Sequence, residues 1–151
     1  MAAFMWNANP EKWSVVPPAT DSWGALRDYV LAGSKYVYWS TPVHQKAVRV
    51  GDRAFIWRTK SPSGPNGIIA VGSVNENPRQ LGVAPISLFK FPQRIDAAGW
   101  SESEAASPWK TGIQIEHVFW EKPLQVSFTA SQGTLRQLTD DEVREAERQV
   151  R

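Results

Sequence analysis

The sequence predicts an α+β fold in which strands apolar on both faces build a sheet or barrel packed on each side, with a helix closing the chain. Three observations predict it. Ala54-Phe55-Ile56-Trp57 and the run from Ile68 to Val74 are nearly unbroken apolar stretches of strand length, the pattern of strands covered on both faces. Tyr36-Val37-Tyr38-Trp39 concentrates aromatic and β-branched residues, and Pro42 then ends the ladder because it has no N–H to donate. Thr139-Asp140-Asp141-Glu142 is a capping box, with Val143, Ala146 and Val150 repeating on one helical face behind it. At 151 residues the chain is long enough to bury a core without staples, and residues 1–151 read as one domain.

In chain order, Ala3 to Asn7 alternates Phe4 and Trp6 with smaller neighbours and reads as a first strand, broken by Asn7-Ala8-Asn9-Pro10. Pro17-Pro18 marks a loop. Thr20 or Asp21 caps a helix carrying Trp23, Leu26 and Val30, with Gly33 as its stop. The Tyr36–Trp39 strand follows directly and delivers an indole and the hydroxyls of Ser40 and Thr41 to one place. Gly51-Asp52 is a tight turn into the strand over 54–57, and Ser61 to Gly67 is a loop with two prolines and two glycines. The pattern weakens from Asn75 to Pro108, where Ile86, Leu88, Phe89 and Phe91 hint at a short strand and 97–107 is small and polar. Trp100 lies within that stretch and Trp109 at its end, and loops of such length in compact domains commonly serve function. Gly112 to Phe119 alternates as another strand, closed by Pro123.

Composition narrows the function classes. The absence of cysteine removes disulfides, thiolate metal sites and thiol catalysis, and makes a reducing compartment, the cytoplasm, the simpler assumption. The start Met1-Ala2-Ala3-Phe4-Met5-Trp6 shows neither a signal peptide nor a membrane span. Net charge is only +2, yet Lys46, Arg49, Arg53, Arg58 and Lys60 stand against the single acid Asp52 beside the aromatic strand. A phosphate backbone would suit that run, the plainer reading being a solvated strand edge. Most of the eight tryptophans must be core.

Catalytic arrangements are lacking. His44 and His117 have no ligand spacing, and Ser63-Gly64-Pro65-Asn66-Gly67 has proline where a phosphate-cradling loop wants N–H donors. Ser40 has only His44 near it in sequence as a base, so the residues do not argue for an enzyme, a cofactor or a metal. Aromatic rings interleaved with cations are instead the ordinary equipment for holding a nucleobase and its phosphates.

The order Phe4-Met5-Trp6-Asn7-Ala8-Asn9-Pro10, Tyr38-Trp39-Ser40-Thr41, Val50-Gly51-Asp52-Arg53-Ala54-Phe55-Ile56-Trp57-Arg58 and Gly67-Ile68-Ile69-Ala70-Val71-Gly72 resembles the EVE domain of the PUA-like superfamily. Pro123-Leu124 and Leu138-Thr139-Asp140-Asp141-Glu142 extend the likeness over nearly the full length, in the version associated with McrB-type and HNH-type restriction modules. Trp39-Ser40-Thr41-Pro42-Val43 is similar to the tryptophan-serine-threonine segment of the related YTH domain. The resemblance implies a strongly curved sheet or barrel of about five to six strands flanked by helices, and a modified base held in an aromatic cage. Trp39 is then the cage wall, removable with the thermal midpoint nearly unchanged, and Ser40 bonds the base edge. Asn7 or Asn9 is the polar post ending the first strand, and Trp109, with Trp100 as its rival, supplies the second aromatic. Trp57 is in the pattern too, inside a core strand. Lys46, Arg49, Arg58 and Lys60 are the phosphate contacts. The implied function is a non-catalytic reader of modified DNA, 5-methylcytosine first and methylated adenine second, with a separately encoded nuclease or McrB-type partner. The alternatives are an RNA-binding PUA-like module and, further off, a small base-modifying enzyme.

Overall fold

The computed structural model describes residues 1–8, 31, 36–59, 66–80, 109–128 and 135–150. The helix expected near 20–33, apart from helical Leu31, and the strand expected near 86–91 lie outside these residues. So do Asn9, Lys60 and Trp100.

Six strands form one sheet among the described residues: β1 (Ala3–Ala8), β2 (Tyr36–Ser40), β3 (Arg53–Arg58), β4 (Gly67–Gln80), β5 (Trp109–Val118) and β6 (Leu135–Gln137), in the spatial order β2-β5-β4-β3-β1-β6. Only β1 and β3 run parallel; the other neighbours are antiparallel.

The sheet is strongly curved, and side-chain bonds prove it. β1 and β2 are separated by three strands in the sheet order, yet the Trp39 indole Nε1 donates to the Asn7 carbonyl oxygen at 3.1 Å and Trp6 Nε1 donates to Thr41 Oγ1 at 3.4 Å. Such contacts require the sheet to curl back on itself, with the staggered register that closure demands. Inside the curl lie Phe4, Trp6 and Ala8 from β1, Ala54 and Ile56 from β3, Ile113 and Ile115 from β5, and Val37 and Trp39 from β2. Alternate residues of β1 and β3, namely Ala3, Met5, Phe55 and Trp57, face the other way.

That outer layer is covered by α1 (Asp140–Val150) through Ala146, Val143 and Val150, and by Phe119, Leu124, Val126 and Phe128. The capping box forms as the sequence predicts. Thr139 N donates to Glu142 Oε1 at 2.9 Å, and Glu142 N donates to Thr139 Oγ1 at 3.2 Å. Arg53 clamps the helix to the sheet, pairing with Glu147 at 2.8 Å and with Glu116 of β5 at 2.6 Å. Among the described residues no helix is long and apolar enough to cross a membrane.

Gly51 adopts φ +97°, which a side chain rarely tolerates, and so makes the tight turn into β3. Asp52 secures it from a buried position: its carboxylate accepts from Arg49 N at 2.9 Å and from Ala2 N at 3.1 Å.

Two elements depart from the sequence pattern. β4 does not fade at Asn75 but continues to Gln80. Beyond Ser73 it has left β3 behind and pairs only with β5, so polar residues are tolerated there. Pro78 falls in the irregular stretch between Glu76 and Arg79, where the ladder shifts register and a missing N–H costs little. β6 is only three residues long, too short to show a period, and is held by pairing Leu135 with Trp6 and Gln137 with Phe4.

Candidate functional site

β2 and β5 bring together the two aromatic segments that lie far apart in sequence. Trp39 pairs with Thr111 and Ser40 with Lys110, and just past the strand end Thr41 N donates to the Trp109 carbonyl oxygen at 2.8 Å. Trp109 is thus the first residue of β5 and sits beside the end of β2. Asn7 joins from β1 through its carbonyl bond to the Trp39 indole. Trp39, Ser40, Trp109 and Asn7 therefore meet at one end of the curved sheet.

The environment of Trp39 differs from that of a surface wall. The residue is 7% exposed and belongs to the inner core, with its N–H already bonded to main chain. Truncating it must therefore disturb packing, so an unchanged thermal midpoint is not expected. Behind it runs a buried hydroxyl relay. Thr41 Oγ1 bonds Thr111 Oγ1, donates to the Trp39 carbonyl oxygen at 3.2 Å and accepts from Trp6. The sequence marks Thr41 through its place after Trp39, but nothing in it singles out Thr111.

Trp57 is not brought to this group. It lies in the outer layer with Met5, Phe55 and Ile68, beneath α1, because one step along β3 reverses the facing side.

The basic run also divides. Lys46 and Arg49 are exposed on the segment that follows Thr41. Arg53 is committed to Glu116 and Glu147. Arg58 is only 7% exposed, at the end of β3 opposite Ala8. Burial separates it from an exposed phosphate track. His44, on the same turn segment, is exposed with φ 61° and its ring centroid lies 6.2 Å from that of Phe4. Among the described residues no group of three or more histidine or acidic side chains could hold a metal ion.

Next to the site, Tyr38 reaches across Gly112 to donate its hydroxyl to Glu76, which also accepts from Arg79 Nη2 at 2.8 Å. Burial, reinforced by the bond to Glu76, pushes the Tyr38 phenol up from 10.0 to about 12. Because the folded state holds this proton more tightly, its contribution to stability is complete below pH 10 and is lost as pH rises towards 12. Alkaline absorbance titration should show a late contribution from Tyr38, lost in Tyr38→Phe. A late transition of undiminished amplitude in Tyr38→Phe would contradict this.

No protein-family model and no curated protein matches the chain. Solved structures do. The human THYN1 protein, solved in complex with 5-methylcytosine-containing DNA, superposes with a TM-score of 0.59 at 12% identity, covering 100% of this chain and 99% of that one. A Pseudomonas putida protein gives 0.55 at 14% identity over 99% and 100% of the two chains. A hypothetical protein from Leishmania major gives 0.53 at 14% identity over 98% and 93%. The chain shares the fold of these proteins. At these identities the likeness speaks for the fold, α+β with a six-stranded curved sheet and a C-terminal helix, and the expectation drawn from the residues is met. The curl that lets Trp39 touch β1 also brings Asn7 to the end of β2, where Ser40 and Trp109 lie.

Proposed function

We propose that this EVE-fold chain is a non-catalytic reader of modified DNA that holds a flipped modified cytosine, 5-methylcytosine foremost, at the Trp39 end of its curved sheet. The observation that carries the reading is the convergence of Trp39, Ser40, Trp109 and Asn7 from three strands, on a fold shared along its length with a protein solved on 5-methylcytosine-containing DNA. Trp39 contributes its π-face, since its N–H is already used, and Trp109 is the second aromatic, with Trp100 as its alternative. Ser40 and the amide of Asn7 or Asn9 bond the base edge, and Lys46, Arg49 and Lys60 hold phosphates. Trp57 acts as packing behind the sheet.

Magnitudes divide the labour. Stacking supplies about 1–3 kcal/mol per base, whereas burying one methyl adds about 0.8 kcal/mol, roughly fourfold in affinity. Flipping a base from a duplex costs a few kcal/mol, which phosphate contacts offset in a salt-dependent way. Titrating the chain with matched DNA and RNA oligonucleotides, each with and without the modification, tests the reading. Preference for the modified DNA supports it. Preference for RNA of the same sequence would transfer the site to an RNA-binding module, and equal binding to modified and unmodified DNA would remove the base reader altogether.

A further inference from the structure

β1 and β2 meet without a strand ladder. Among the described residues β1 pairs with β3 and β6, and β2 pairs with β5. β1 and β2 touch instead through side chains of the interior. Trp39 Nε1 donates to the Asn7 carbonyl oxygen at 3.1 Å, and Trp6 Nε1 donates to Thr41 Oγ1 at 3.4 Å. The end of β2 is tied more firmly to β5. Tyr36–Ser40 is in register with Lys110–Gln114, Thr41 N donates to the Trp109 carbonyl oxygen, and the hydroxyls of Thr41 and Thr111 bond each other. Side-chain bonds and apolar contact make a weaker seam than a ladder, and such a boundary is where a fold opens locally, below the cost of global unfolding.

Trp39 is 7% exposed and shares the inner layer with Phe4, Trp6 and Val37. A base needs a whole ring face to stack on, and so closed an arrangement offers none. Resting on the base-reader function proposed above, we infer that the Trp39–Asn7 and Trp6–Thr41 bonds are a latch that shuts the base site in the free chain. The modified base is then taken by a minor form in which the end of β2, still paired with β5, has parted from β1. In that form Trp39 turns its π-face to the base. Thr41 is the positioning residue of the latch. Its hydroxyl accepts the Trp6 indole N–H and is itself held by Thr111 and the Trp39 carbonyl oxygen. Parting uncovers apolar rings, which keeps the closed form dominant. A base that enters covers them again, and this difference in affinity between the two forms is what shifts the population. Every nucleotide meets the same cost of opening, so one that returns less stacking and methyl burial is not held.

The test measures affinity and thermal midpoint together. Single-stranded oligonucleotides with cytosine or 5-methylcytosine at one position are titrated by fluorescence anisotropy, so that duplex opening does not enter. A ligand taken by only a fraction of the chains has its affinity reduced by that fraction. Thr41→Val keeps the side-chain shape but leaves the Trp6 N–H without its acceptor in the closed form. It should therefore melt lower and yet bind the modified oligonucleotide about fivefold tighter, the population shift that one ordinary hydrogen bond governs. Thr41→Ser keeps the hydroxyl and should return to the affinity of the unsubstituted chain. A residue that merely supports the fold would lose affinity along with stability. A folded Thr41→Val chain that binds no tighter overturns the inference, as does a Thr41→Ser chain that tightens equally. Should Thr41→Val not fold by circular dichroism, hydrogen exchange on the unsubstituted chain decides. The Trp6 and Trp39 indole protons should be far less protected than the core amides of Ile56 and Ile113, and equal protection overturns the latch. Equal affinity of the unsubstituted chain for the two oligonucleotides removes the base reader itself, whereas methyl preference without tightening in Thr41→Val removes the latch alone.

Discussion

Gly72→Ala is expected to cost more than about 4 kcal/mol, the range reserved for severe steric or burial faults, a large share of the roughly 5–15 kcal/mol that holds an ordinary domain together. Gly72 lies where β4 shifts register against β5, facing Ile115. A β-carbon there would fall on the Gln114 carbonyl oxygen, 2.9 Å from its carbonyl carbon and 3.0 Å from Ile115 Cα. All three are main-chain atoms of a central strand, so no rotamer change relieves the clash; β4 and β5 would have to part. Because β5 also carries Trp109 and the partner residues of β2, separation would dismantle the candidate site along with the sheet. Soluble yield and urea denaturation check this. A Gly72→Ala chain with a midpoint close to that of the parent would contradict the described β4–β5 pairing.

Trp39→Ala is expected to lose about 3–5 kcal/mol of stability, as large core truncations do, and at the same time to abolish preference for modified DNA. Both effects arise from one ring because the proposed site is built around a residue of the inner core. Trp39→Phe separates them. It keeps an aromatic face and most of the volume but drops the indole bond to Asn7, so it should cost little more than that bond, about 1 kcal/mol. A weakened preference should survive, through thinner stacking. Denaturation midpoints and anisotropy titrations on the two variants give the result. A folded Trp39→Ala chain with full preference would remove Trp39 from the site.

Much of this architecture could be read from the residues because it is written in local signals. The aromatic run ending at Pro42 stops where β2 stops, and the capping box at Thr139 and Glu142 starts α1. The nearness of Trp39 to Trp109 was half visible, since one ends an aromatic run and the other ends the long polar stretch, but only strand adjacency brings them together. What escaped depends on register and curvature, which one sequence does not encode locally. Arg53, Arg58 and Trp57 lie within six residues and look alike as members of a basic and aromatic run. Alternation along a curled strand sends Arg53 to the acids of α1 and β5, Trp57 beneath the helix and Arg58 inward. The extension of β4 past Asn75 was hidden because a strand paired on one side needs no apolar alternation. β6 was hidden by its length.

The placement of the base is tested most directly by 19F NMR of the chain labelled with 5-fluorotryptophan, with the Trp39 signal assigned by its disappearance in Trp39→Phe. On saturation with an oligonucleotide carrying 5-methylcytosine, the Trp39 resonance should move strongly, as a base settling on its ring requires, while that of Trp57 in the outer layer stays in place. Tight, methyl-selective binding that leaves the Trp39 resonance where it was would show that the base is held elsewhere.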